Sequence, residues 1–374
     1  MTGCLCLDRR LVVFALIGLG FCEASAAAQE RLPLRQAAER GDARAQYNLG
    51  VAYLRGDGVP RDPAQAIQWW RKAADQGLAQ AQDSLAVLYH EGRDVPQDLP
   101  QALRWWGKAA AQGLPSAEHA LGVMYFNGTG VAQDFARAAQ WWLKAARHGV
   151  RDAQNSLAFL YENGQGVAAD LAQAIRWWRR AAALGLADAQ NRLGVLYFSG
   201  RGVTRDPVEA VRWWRKAAAQ QHVTAASNLG VAYATGEGVA RDPVEAVRWW
   251  RKASDGGDVI AQYNLGAAYA TGVGAAQDAV QAARWWRLAA DQGEAAAQHA
   301  LGLSYFTGDS GARDLVEAYK WLDIAAARAA AEDRQLFVND RDAVGTNLTP
   351  AQLADAEKRA REWREAFKVV DTVR

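Results

Sequence analysis

Apolar and small residues fall in two alternating stripes along most of the chain. Ala45, Leu49 and Tyr53 are spaced by four, which places them on one face of a helix. Ala66, Trp69, Ala73 and Gly77 follow at spacings of three and four and mark a second helix. Between them lies the polar, glycine-bearing stretch Gly56-Asp57-Gly58-Val59-Pro60-Arg61-Asp62. Gly56 is placed to end the first helix in a left-handed conformation. Asp62 is placed to cap the second, because its carboxylate can accept the free N–H groups of the first turn. Pro63, Pro207 and Pro243 follow this Asp directly, at the position where a helix tolerates proline. Gln65, Gln101, Gln173, Glu209, Glu245, Gln281 and Glu317 complete capping boxes three residues on, and Arg137 breaks the series.

The pattern then repeats. Tryptophan pairs begin at Trp69, Trp105, Trp141, Trp177, Trp213, Trp249 and Trp285, each 36 residues after the last; the next step lands on Trp321, followed by Leu322. Ala45, Leu49, Tyr53, Gly56, Asp62, Ala66, Trp69 and Ala73 keep their identity in all eight units, and the Gly50 position is Gly or Ala throughout. Each unit therefore predicts a helix of about 12 residues, a loop and a second helix. One unit cannot bury its own apolar face, whereas a stack can. The first Trp of each pair lies on the Ala66–Ala73 stripe and is expected in the core. The second lies about 100° round the helix and is expected partly exposed at a layer edge. Burial, rather than stacking on a ligand, is the expected role of the pairs.

The pattern Ala-x-x-x-Leu-Gly-x-x-Tyr-x-x-Gly-x-Gly-Val-x-x-Asp…Ala-x-x-Trp-Trp-x-Lys-Ala-Ala resembles the Sel1-like repeat, a relative of the tetratricopeptide repeat, over residues 42 to about 330. The second Trp departs from the family, which usually carries Tyr there, and the eighth loop, Gly308 to Ala312, lacks the Gly-x-Gly-Val form. The resemblance implies an all-α fold: a right-handed α-α superhelix, or solenoid, of eight 36-residue helix–loop–helix repeats. Residues 29–41 read as an N-terminal half-repeat, with Ala37, Ala38 and Gly41 in register. Residues 331–374 read as a C-terminal region with a capping helix near 350–368, started by Thr349-Pro350 and carrying Leu353, Ala356, Ala360, Trp363 and Phe367 on one face. The segment Glu332 to Leu348 has no clear period.

The first residues read as a targeting segment. Arg9-Arg10 precede an apolar run, Leu11 to Phe21, that is too short to span a bilayer as a helix. Small residues then suit signal-peptidase cleavage near Ala26 or Ala28, which makes residues 1–28 a signal peptide. Leu19-Gly20-Phe21-Cys22 as a lipoprotein box and Arg9-Arg10 as a twin-Arg signal are the weaker alternatives. The expected location is the periplasm or outside the cell, with no stable membrane span after cleavage. All three cysteines, Cys4, Cys6 and Cys22, lie in this segment, so the mature chain would carry no disulfide, no thiol nucleophile and no zinc-thiolate site.

Charge adds an exclusion. With 43 basic and 41 acidic residues the formal net charge is +2, which supplies no global field for nucleic acid. No His-x-x-x-His, His-Glu-x-x-His or Gly-Lys-Ser/Thr motif occurs, and no catalytic, metal or cofactor site is assigned. Two columns of the first helices vary from unit to unit. One is Tyr47, Asp83, His119, Asn155, Asn191, Ser227, Tyr263 and His299; the other is Leu54, His90, Phe126, Glu162, Phe198, Ala234, Ala270 and Phe306. By analogy with tetratricopeptide repeats these line the concave face and form a groove for a partner protein or peptide of the cell envelope. The resemblance implies an adaptor or regulator and not an enzyme. The alternatives are a β-lactam- or peptidoglycan-acting enzyme, as in cysteine-rich members whose disulfides this chain lacks, and a cell-wall glycan binder.

Overall fold

In a computed structural model the chain is described over residues 33–371, Ser310 excepted. The proposed signal peptide and its cleavage sites lie outside the described residues. Contacts divide the chain into two units, one up to Ala181 and one from Ala182. No strand occurs among the described residues, and each helix packs chiefly on its neighbours in sequence, the nearest-neighbour arrangement of a solenoid.

In the first unit a helical stretch over 33–39 leads into first helices Ala43–Arg55, Ala79–Glu91, Pro115–Asn127 and Arg151–Asn163. These alternate with second helices Pro63–Asp75, Leu99–Ala111, Phe135–Arg147 and Leu171–Ala183. The second unit repeats the alternation from Ala187–Ser199 to Leu315–Arg328 and continues into Ala331–Gly345 and Pro350–Asp371.

The recurring residues make the ends. Gly56 adopts φ 80° and its N–H reaches the Ala52 carbonyl. The Asp62 carboxylate accepts the Gln65 N–H at 3.0 Å, and its counterpart Asp98 does the same for Gln101 at 3.0 Å. The Asp62 N–H also returns to the Tyr53 carbonyl at 2.9 Å, which closes the loop, and Asp98 to Tyr89, Asp134 to Tyr125 and Asp242 to Tyr233 repeat that bond. The Glu209 and Glu245 side chains do not close the expected capping boxes, since the Asp206 and Asp242 N–H groups go to the Tyr197 and Tyr233 carbonyls. Glu209 accepts from Arg212 at 3.2 Å and Glu245 from Arg248 at 3.0 Å, further along their own helices.

A glutamine ladder joins one repeat to the next. The Gln46 amide donates to the Ala38 carbonyl, Gln82 to Ala74 and Gln154 to Ala146, each at 3.0–3.1 Å. These carbonyls belong to the last turn of a preceding helix and also accept a backbone N–H, that of Gly41, Gly77 or Gly149, so the glutamine adds a second bond to each. Gln76 and Gln112 then donate to the Gln46 and Gln82 side-chain oxygens, both at 2.8 Å. The third repeat departs from this pattern. Glu118 stands at the ladder position, 3 % exposed, with His148 Nε2 at 3.8 Å where the first two repeats have Gln76 and Gln112. An ionised carboxylate has no proton for a carbonyl, and Glu118 Oε2 is buried without a partner. Burial raises the Glu118 pKa above its ordinary 4.5, against the pull of His148 and Lys144. A raised folded-state pKa favours the protonated form, so the folded state loses stability as pH rises from 4.5 through the higher folded value. Glu118→Gln is therefore expected to stabilise by about 1 kcal/mol at pH 7 and by less below pH 4.5. Melting curves at the two pH values check it; an unchanged or lowered midpoint at neutral pH would refute it.

In the second unit Pro350–Asp371 packs on Leu315–Arg328. Ala356 and Ala360 are fully buried, Trp363 meets Trp321 edge-on at 5.8 Å, and Arg364 pairs with Asp323 at 2.7 Å. The aperiodic segment forms the helix Ala331–Gly345, which buries Phe337 among Ala325, Ala326 and Ala329.

Candidate partner-binding face

The tryptophans reverse the expected depth. In the first six pairs the second is the deeper: Trp70, Trp142, Trp178 and Trp214 are each 3 % exposed, while Trp69, Trp141 and Trp213 are half-buried and Trp105 and Trp177 are buried at 7 % and 8 %. Where the Gly50 position is glycine, the second indole packs directly on it. A Cβ on Gly122 would lie 2.3 Å from Trp142 Cδ1, and one on Gly194 would lie 2.3 Å from Trp214 Nε1, so the glycine is the seat of the second indole. The first Trp lies on the other flank and carries a cation on its ring: Lys72 on Trp69 at 4.2 Å, Lys108 on Trp105 at 4.1 Å, Arg180 on Trp177 at 4.6 Å.

Both variable columns gather round the second indole, one residue on each side. In the first unit Tyr47 stacks on Trp70 at 6.2 Å, and His119 on Trp142 at 6.4 Å. Asp83 accepts the Trp106 N–H at 2.9 Å, and Asn155 accepts that of Trp178 at 3.1 Å. From the second column His90 lies 5.3 Å from Trp106 and Phe126 lies 5.3 Å from Trp142; Glu162 is half-buried beside them. In the second unit Phe198 lies 5.3 Å from Trp214, Asn191 accepts from Asn228 at 3.2 Å, and Tyr263 and Phe306 are half-buried.

The columns are therefore half-buried shelves rather than fully solvated positions, and two members leave the face. Ser227 is 4 % exposed and donates to Asp258 at 2.8 Å. His299 is covered by the chain itself: Phe337 stacks on its ring at 4.0 Å and Asp340 lies 2.7 Å from its Nε2. The covering helix comes from the segment without a period, so sequence gave no warning of it. Sequence reasoning also missed a third column, which includes Val87 at 38 % exposed, Phe159 at 45 % and Leu303. Phe159 joins Phe126 at 6.3 Å, and Phe135 joins it at 5.3 Å, to make an aromatic cluster. This column is apolar at every repeat, which reads as packing until its outward direction is known.

Burial tunes two members. It pushes the Asp83 carboxyl above its ordinary range although Ser116 and Trp106 donate to it, and it pushes the His119 imidazole down against the pull of Asp152. Among the described residues no group of three His, Cys, Asp or Glu stands together as a metal site, and no helix is long and apolar enough to cross a membrane.

A family model described as the Sel1 repeat matches residues 43–78, 79–114, 115–150, 151–186, 187–222, 223–258, 259–294 and 295–329. A Sel1 repeat protein from Oxalobacter formigenes is 32 % identical, with 82 % of this chain and 89 % of that one covered and a TM-score of 0.63. The protein c5321, a protective antigen of uropathogenic Escherichia coli strains displaying an SLR fold, is also 32 % identical over 91 % of this chain and 89 % of its own, with a TM-score of 0.44. No curated protein matches.

Proposed function

The chain belongs to the Sel1 repeat family, a scaffold fold that commonly mediates protein–protein interaction, and on that premise we propose that it is an exported, non-enzymatic scaffold binding a segment of an envelope or periplasmic partner protein on its first-helix face. One observation carries this reading. The residues of the recurring stripes keep their identity in all eight repeats, while those around each second indole change between most repeats and mix aromatic, amide and ionisable groups. A stack that needed only stability would have no use for that variety, whereas a surface that reads one partner segment would. Export is supported by Arg9-Arg10, the apolar run after them and the confinement of cysteine to the first 22 residues.

Affinity capture from the cell envelope with the mature chain tests it. The altered bait carries His90→Ala, Phe126→Ala, Glu162→Ala and Phe198→Ala, because alanine already stands at this position as Ala234 and Ala270. The expected result is one envelope protein enriched by the normal bait and at least tenfold less by the altered one, with helicity retained and a mature N-terminus just after Ala26 or Ala28. Equal capture by two folded baits would overturn the face, and a chain retained in the cytoplasm would overturn export.

A further inference from the structure

The second column changes size along the second unit: Phe198 and Phe306 are large, Ala234 and Ala270 small. Where phenylalanine stands, its ring lies against the second indole, 5.3 Å for Phe198 on Trp214, and 5.3 Å for Phe126 on Trp142 in the first unit. Those two tryptophans are each 3 % exposed. At the seventh repeat Ala270 brings no ring to Trp286. Ala234 likewise brings no ring to Trp250, which is still only 8 % exposed, but Trp286 is half-buried and a cavity of about 610 Å³ opens beside it. Ala270, Ala282, Ala300 and Leu303 line it with Trp286, and Ser304 and Gln277 stand among them. Its size lies within the ordinary range of ligand pockets, about 300–1,000 Å³.

We propose that this cavity takes a phenylalanine side chain of the partner segment, laid on Trp286 as Phe126 and Phe198 are laid on Trp142 and Trp214. The proposal rests on the scaffold reading and adds the chemistry of one anchor. The molecule itself supplies the template, since a phenylalanine ring already lies on the second indole in two other repeats. An indole face beside alanine and leucine favours an aromatic ring, and Asp309, which also lines the cavity, disfavours an anionic chain. The Ala270 carbonyl already accepts from Gln277 Nε2 at 2.9 Å, so recognition falls on the side chain rather than on that backbone group.

The full mature chain, with its tryptophan side chains labelled with nitrogen-15, is titrated with N-acetyl-phenylalanine amide and with N-acetyl-alanine amide. The Trp286 indole signal is assigned by Trp286→Leu, since the eighth repeat carries Leu322 there. The phenylalanine probe is expected to move that signal and the alanine probe to leave it. Ala270→Phe fills the cavity with the chain's own residue type and is expected to abolish the shift. Ala300→Arg, borrowed from Arg192 of the fifth repeat, is expected to weaken it at least tenfold and serves as a second reading should Ala270→Phe alter the fold. No shift with the phenylalanine probe, or an equal shift in both variants, would overturn the proposal. So would a dimer of the native chain that Ala270→Phe dissociates, because the occupant would then be a second copy. Partner capture that survives Ala270→Phe overturns this anchor and leaves the scaffold reading standing.

Discussion

Gly274→Ala is expected to lower the unfolding free energy by about 3 kcal/mol, and Gly257→Ala by only about 1 kcal/mol. The two glycines have nearly the same backbone, φ 81° and 85°, so any side chain meets the same left-handed penalty. They differ in what surrounds them. A Cβ on Gly257 meets nothing within 4 Å, whereas one on Gly274 would lie 2.1 Å from the Pro243 carbonyl oxygen. That oxygen is backbone at the start of the preceding second helix, so it cannot swing aside, and the loop must lift away from the repeat before it. Gly238 against Pro207 and Gly166 against Phe135 show the same close approach. The second glycine of these three loops is thus a repeat-to-repeat contact, while Gly77, Gly113, Gly149, Gly185 and Gly257, after second helices, serve conformation alone. Denaturant unfolding of the two variants checks the difference, and equal losses would show that φ accounts for both.

The helices and their caps were legible in the sequence because they depend on local chemistry. A spacing of four, a glycine stop and an aspartate before the next stripe are short-range signals, and eight repetitions average out their exceptions. The depth of the two tryptophans was not legible in that way. Both neighbours on one helix can claim the core, and what decides is packing against another helix, such as Trp70 on Gly50 and Trp142 on Gly122. That contact spans 20 residues and has no signature in the stripe containing either tryptophan. The segment 332–348 was illegible for the opposite reason: it has no repeat to reinforce it, and its one buried ring, Phe337, takes its place from alanines on Leu315–Arg328 and from His299. The candidate face was legible as a set of positions but not as a set of exposures. A position that varies between repeats can stay half-exposed, as Phe126 does with Phe159 beside it, or can be closed off by the chain, as His299 is.

Gly122→Ala is expected to cost about 2 kcal/mol, and adding His119→Asn is expected to return about half of it. The second indole has two seats in the first unit, and the Gly50 position selects between them. Over glycine it sinks until its N–H meets a backbone carbonyl: Trp70 donates to Tyr47 O at 3.0 Å, and Trp142 to His119 O at 3.3 Å. Alanine stands at that position as Ala86 and Ala158, and there the N–H is met by a side chain instead, Asp83 for Trp106 and Asn155 for Trp178. A methyl on Gly122 would lie 2.3 Å from the Trp142 indole nitrogen, so the ring must move outward and give up the His119 carbonyl. A buried indole N–H without an acceptor then adds its own cost to the overpacking. Asparagine at 119 reproduces the fourth repeat, Asn155 with Ala158, and supplies the missing acceptor. A double-mutant cycle read by thermal unfolding measures the coupling, expected near 1 kcal/mol in the compensating sense; additive losses would mean that the two seats do not exist. The consequence reaches the partner-binding face. If the coupling is found, Asp83 and Asn155 are held by the tryptophan beneath them, and their departure from the aromatic Tyr47 and His119 follows from packing. The positions free to follow a partner are then those of the second column, where Phe126, Phe198, Ala234 and Ala270 differ although glycine stands at the indole seat beside all four.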